Sequence, residues 1–130
     1  MRLLGIDYGT RHIGLAIGDT DANFALPLDS VTFDDEARVF EILRETIKAE
    51  GIEAIAIGVP MSGEHPAQQK ITEEFVGRLK KEISLPINVI DETMTSREAQ
   101  VRLLELGTKA KNDHAVAAML ILQHFLDGAV

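Results

Sequence analysis

The chain has 130 residues, 45% of them hydrophobic and 26% charged, which fits one globular domain spanning residues 1–130 with a sizeable core. It has no cysteine, which excludes a disulfide framework and a thiol nucleophile and leaves oxygen and histidine as the only metal ligands. The net charge of −8, from 13 basic and 21 acidic residues, argues against tight non-specific binding to nucleic acid, although acids that hold a divalent cation add charge of the same sign.

The chain opens on Leu3-Leu4-Gly5-Ile6-Asp7-Tyr8-Gly9-Thr10 and Ile13-Gly14-Leu15-Ala16-Ile17-Gly18-Asp19, which read as two short strands around a tight turn. Gly9 suits a turn that needs positive φ or a close backbone approach, and Gly14 and Gly18 suit a strand that something passes closely. Asp7 ends the first strand beside open backbone N–H groups, where a metal and a phosphate meet readily; its plainer reading is a turn cap. The turn residues Gly9, Thr10 and Arg11 are then the candidate substrate contacts. Residues 24–33 read as a third strand, placed at an edge because Pro27 cannot donate a ladder hydrogen bond.

Asp34-Asp35-Glu36 opens a helix with Val39, Phe40, Leu43 and Ile47 on one face, and Gly51 stops it. Residues 52–58 read as a buried parallel strand. A loop rich in glycine and proline follows, then a second helix with Ile71, Phe75, Leu79 and Ile83 inward. Lys80 and Lys81 suit the negative end of its dipole rather than a nucleic-acid patch. Ile87-Asn88-Val89-Ile90 is a fifth strand ending on Asp91-Glu92. Thr95-x-x-Glu98 is a capping box for a third helix whose inner face is Ala99, Leu103 and Leu106. Asn112 or Asp113 caps a last helix over 115–126, apolar nearly all round and therefore buried. The order βββαβαβαα predicts a mixed sheet, 3-2-1-4-5, with strand two antiparallel to strand one and helices on both faces.

Three acids fall at comparable places: Asp7 ends strand one, Glu92 or Asp91 ends strand five, and Asp113 begins the last helix. Ligands of open α/β sheets sit beyond the carboxyl ends of parallel strands, so this topology brings the acids to one rim. Clustered carboxylates imply a bound cation or raised pKa values. Two hard cations about 3.5–4 Å apart align water with a phosphodiester and stabilise the leaving oxygen. Taken singly, Asp113 also reads as a plain N-cap. His12, His65 and His114 read as surface histidines. His114, next to Asp113 on a helix, is expected to point elsewhere.

The chain resembles the YqgF (RuvX) family, provisionally named pre-16S ribosomal RNA nucleases and related to Holliday-junction resolvases. The resemblance lies in Gly5-Ile6-Asp7-Tyr8-Gly9-Thr10-Arg11-His12-Ile13-Gly14-Leu15-Ala16, Ile57-Gly58-Val59-Pro60, Asp91-Glu92-Thr93-Met94-Thr95 and the helix of 113–126. It implies an RNase H-like fold, a site of Asp7, Glu92 and Asp113 holding Mg²⁺ or Mn²⁺, and metal-dependent cleavage of ribosomal RNA precursors or of branched DNA. The implied partner is nucleic acid, RNA before branched DNA, with the protein a monomer or homodimer. No apolar run spans a bilayer and Asp7 interrupts any signal-peptide layout, so the expected address is cytoplasmic, with no membrane partner. Thr93 stands where the family has arginine, removing a bidentate phosphate contact, and the loop after Pro60 is short and lacks the family's Asn and Asp. Two other readings compete. The first block also resembles the phosphate-binding turn of actin-like ATPases and sugar kinases, but those close two domains around ATP. A non-catalytic binding module suits the charge and Thr93, but leaves the three acids without a purpose.

Overall fold

The computed structural model describes residues 1–92 and 113–128. Among these, five strands form one sheet in the order β3-β2-β1-β4-β5. They are β1 (Arg2–Tyr8), β2 (His12–Asp19), β3 (Phe24–Thr32), β4 (Ala54–Val59) and β5 (Ile87–Asp91). β1 and β2 are antiparallel, as are β2 and β3, while β4 and β5 run parallel to β1. The expected order and directions hold. β3 is an edge strand, and its register with β2 steps at Leu15/Ala16, leaving Leu28 as the extra residue of a bulge.

Strand periodicity separates the two faces. Leu4, Ile6 and Tyr8, Ile13 and Leu15, and Ile55, Ile57 and Val59 form one core with two helices, α1 (Glu36–Glu50) and α2 (Pro66–Glu82). Asp35 caps α1 by accepting from the Ala37 N–H at 3.0 Å, and Gly51, at φ 64°, ends it in the left-handed conformation. The Ile52 N–H still reaches back to the Ile47 carbonyl, so β4 begins at Ala54 rather than at residue 52. Pro66 is not part of the loop: it opens α2, where its missing N–H costs nothing. Arg78 of α2 donates to Glu36 of α1 at 2.8 and 3.0 Å and also bonds the Tyr8 hydroxyl, while the Tyr8 ring stacks on Phe75 at 3.9 Å. The end of β1 is thus held from both helices.

The opposite face carries small side chains, Gly5, Gly14, Ala16, Gly18, Ala54, Ala56 and Gly58. Against it lies one further helix, α3 (Asp113–Leu126). Ala118, Ile121 and Leu122 of α3 are fully buried. A Cβ at Gly5 would meet the Ala118 carbonyl at 2.7 Å, one at Gly18 would meet Leu122 at 3.0 Å, and one at Gly14 would run into the His114 carbonyl. The object passing close to β2 is therefore α3. The predicted helix over Thr95–Glu98 and Leu106, and Thr93 itself, lie outside the described residues.

Candidate active site

Asp7 belongs to the α3 face, two residues beyond Gly5 on β1. Its partner across the antiparallel ladder is Gly14, whose own partner on β3 is Ser30. The first turn of α3 sits over this row. The His114 backbone lies on Gly14, and the Ser30 hydroxyl accepts from the Ala115 N–H at 3.1 Å, satisfying a donor the helix cannot satisfy itself. Asp113, the residue that opens α3, is carried to the same end and face of the sheet as Asp7. Its side chain is outside the described structure.

Glu92 follows β5 directly. Its Cβ stands over Gly58, 3.2 Å from where a Cβ there would be. From that position its carboxyl hydrogen-bonds Asp7. Burial, the hydrogen bond to Asp7, and the negative charges of Asp7 and Asp91 raise the Glu92 pKa to about 9. Without a cation, Glu92 therefore keeps its proton at neutral pH and donates it to Asp7. Of Asp91 and Glu92, it is Glu92 that turns toward Asp7.

The histidines differ from expectation. His114 does not point away: its Nδ1 lies 3.8 Å from the Asp7 carboxylate, and its ring stacks on His12 at 4.9 Å. The reason is that Gly14 lets the helix start directly above the β1–β2 row, so neighbouring residues of its first turn flank the same spot. His12 in turn shares a 3.1 Å hydrogen bond with the Thr32 hydroxyl. His65 precedes α2 and, with Tyr8, Gln68 and Glu92, lines a recess of about 310 Å³ beside the carboxylates. In the β1–β2 turn, Gly9 has no positive φ. It is needed for close approach, since a Cβ would lie 3.0 Å from the His12 carbonyl, to which its own N–H donates. Thr10 and Arg11 are exposed at the tip.

Among the described residues, no three histidine, aspartate or glutamate side chains make a metal cluster on their own. Two adjacent carboxylates, one holding a proton that a cation would displace, nonetheless form a hard oxygen donor pair of the kind divalent cations take.

The antiparallel β1–β3 meander extended by parallel β4 and β5, with helices on both faces and acids at the carboxyl end of β1 and after β5, is an RNase H-like fold. Solved structures of nucleases share it. Thermus thermophilus RuvC in complex with a Holliday junction substrate matches with a TM-score of 0.65 and 19% identity, over 98% of this chain and 95% of that one. Fowlpox virus resolvase with substrate Holliday junction DNA matches with a TM-score of 0.58 and 10% identity, over 100% and 99%. A family model described as RuvX, Holliday junction resolvase, matches residues 1–128, and the chain belongs to that family. Relatives include proteins provisionally named pre-16S rRNA nuclease. The one from Rickettsia bellii (strain OSU 85-389) is 38% identical over 96% of this chain and 85% of its own length. The one from Chloroflexus aurantiacus (strain ATCC 29366 / DSM 635 / J-10-fl) is 34% identical over 96% and 86%.

Proposed function

We propose that this protein is a divalent-metal-dependent nuclease that hydrolyses phosphodiester bonds in pre-16S ribosomal RNA, working in the cytoplasm. The observation that carries the reading is the contact between Asp7 and Glu92, two carboxyl groups from separate strands brought together at one rim. Family membership and the names of the relatives supply the substrate. Asp7, Glu92 and Asp113 are the residues to hold Mg²⁺ or Mn²⁺. Bound there, the ion provides Lewis acidity for attack by water and departure of the alkoxide.

The chain's own residues set the rest. Asp7 lies on a central strand pinned by α3 on one side and by the Tyr8–Phe75 stack on the other, so its carboxylate stays put. Glu92 keeps a proton toward Asp7 until a cation takes its place. Gly9 shapes the turn, its N–H held by the His12 carbonyl, and the exposed Thr10 and Arg11 offer a hydroxyl and a guanidinium to the substrate phosphates. The recess between Tyr8, His65 and Glu92 has room for one unpaired nucleotide base.

The test is cleavage of a pre-16S 5′ fragment, a matched single-stranded DNA and a four-way junction in Mg²⁺ or Mn²⁺, by wild type, Asp7→Asn and Glu92→Gln. We expect RNA cleavage by wild type and a drop of at least 100-fold in both variants, with melting temperatures unimpaired. Preferential junction cleavage would move the substrate to branched DNA. That second reading is favoured by the family description and by the likeness to junction resolvases, and it calls for a dimer in sedimentation. No cleavage of any substrate by the wild type would leave the non-catalytic module as the function, and equal cleavage by wild type and Asp7→Asn would remove Asp7 from the mechanism.

A further inference from the structure

The α1-side face of β3 is bare. Ala25 turns toward α3 and is buried, while Phe24, Leu26 and Leu28 are 55%, 49% and 37% exposed. Leu26 pairs with Ile17, whose side chain packs on the α1 side, which puts the exposed row on that side. The bulge at Leu28 turns both Leu28 and Asp29 into a groove of about 270 Å³ between β3 and α1. Leu15, Leu28 and Ile42 supply its apolar lining, and Asp29, Glu45 and Glu50 supply acid. Glu50 is paired with Arg2 at 3.2 Å and Glu45 with Arg38 at 3.8 Å, but Asp29 has no cationic partner among the described residues. An apolar groove whose rim keeps one acid, Asp29, without a cationic partner among the described residues is a surface for an oppositely charged partner.

We propose that this groove docks a basic protein segment, whose aliphatic side chains cover Leu26 and Leu28 and one of whose lysines or arginines faces Asp29. Charge decides between the occupants. Phosphates of nucleic acid or of an anionic lipid surface meet acids here. A second copy of a chain with net charge −8 would bring the same acidic rim against its own. Backbone pairing along the edge is also blunted, by Pro27 in mid-strand and by the bulge, so the contact is through side chains on the face and not through an added strand. The groove lies on the α1 side of the sheet, its Leu15 and Asp29 level with Ile6 of β1, whereas Asp7 faces the α3 side. A partner seated in it leaves the carboxylate rim open, which suits a substrate that reaches the protein as a complex of nucleic acid with basic protein.

The inference is tested by binding, so its outcome is independent of nuclease activity. The probe is a capped nine-residue peptide of alternating leucine and lysine, titrated into the full chain by fluorescence anisotropy and followed by backbone amide NMR. Leucine–glutamate and serine–lysine peptides of the same length are the controls. We expect the leucine–lysine peptide to bind at least ten-fold more tightly than either control and to shift the amides of residues 24–29 and 42–50. The double variant Leu26→Ser/Leu28→Ser and, separately, Asp29→Lys should each weaken it ten-fold or more, with melts unchanged. Absence of binding, equal binding of the serine–lysine peptide, or shifts elsewhere would overturn the proposal. A concentration-dependent doubling of mass that Leu26→Lys abolishes would overturn it in favour of a second copy.

Discussion

At Glu92, burial and the Asp7 carboxylate act in the same direction, and both favour the protonated acid. The sign of the consequence for stability follows. The folded protein holds a proton, with a pKa raised from 4.5 to about 9, that the unfolded chain releases near the ordinary carboxyl value. Between those two values the unfolded state binds fewer protons, so the contribution is fully present below about pH 4.5 and is lost as pH rises toward 9. The slope is at most about 1.4 kcal/mol per pH unit. Urea melts of the metal-free protein at pH 5, 7 and 8.5 should show this loss, and Glu92→Gln should flatten it. Binding a divalent cation has to expel the same proton. Titration calorimetry of Mn²⁺ in two buffers of different ionisation enthalpy should therefore show release of about one proton at pH 7.5 in wild type and almost none in Glu92→Gln. The same residue shows how far local reading reaches. Alternation along a strand required that only one of Asp91 and Glu92 face the rim, and it is Glu92 whose carboxyl bonds Asp7.

Among the elements, α3 makes the site possible. It is apolar nearly all round and lies across strands whose facing residues are glycine and alanine. At Gly14 there is no room for a methyl group. Gly14→Ala should push the first turn of α3 off the sheet, destabilise the fold by about 3 kcal/mol, and displace Asp113 and His114 from Asp7. Gly77, exposed within α2 with nothing near its missing Cβ, is the matched control: Gly77→Ala should stabilise by roughly 0.4–1 kcal/mol. Denaturant melts of the pair give opposite signs for the same chemical change. The signal for this arrangement was in the alternation Ile13-Gly14-Leu15-Ala16-Ile17-Gly18 and Ala54-Ile55-Ala56-Ile57-Gly58. Large residues face two helices and small ones face a single closely packed helix. Read only as a hint of close approach, it did not name α3 as the object. His114 is expected to point elsewhere because it follows Asp113 on a helix, yet α3 brings it to Asp7.

Over the whole molecule the net charge of −8 opposes any polyanion. Nucleic-acid binding should therefore depend on the cation. RNA affinity measured in chelator should be weak, and adding Ca²⁺ or Mn²⁺ to a cleavage-impaired variant with intact metal binding should tighten it by ten-fold or more. Divalent cation should also raise the melting temperature, by the equivalent of about 2.7 kcal/mol at one hundred times its dissociation constant. Asp7→Asn should abolish that rise while leaving the fold intact in chelator, since the amide oxygen can still accept the hydrogen bond from protonated Glu92.

Element types, strand order and the face of each strand were legible in the sequence, because periodicities of two and 3.6 and the glycine, proline and acid boundaries are local consequences of burial and of backbone geometry. Asp7 at a strand end, Asp91 or Glu92 at the end of another and Asp113 at a helix start were legible for the same reason, while the choice of Glu92 came from the family resemblance. What only the tertiary structure decided is what these residues meet. The proton shared by Glu92 and Asp7 needs two strands distant in sequence to end at one height. His114 stacks on His12 because a helix more than 90 residues further along the chain rests on Gly14. Leu28 and Asp29 line one groove because a bulge interrupts their alternation. Contacts of this kind depend on how faces are brought together in space, which local propensity does not encode.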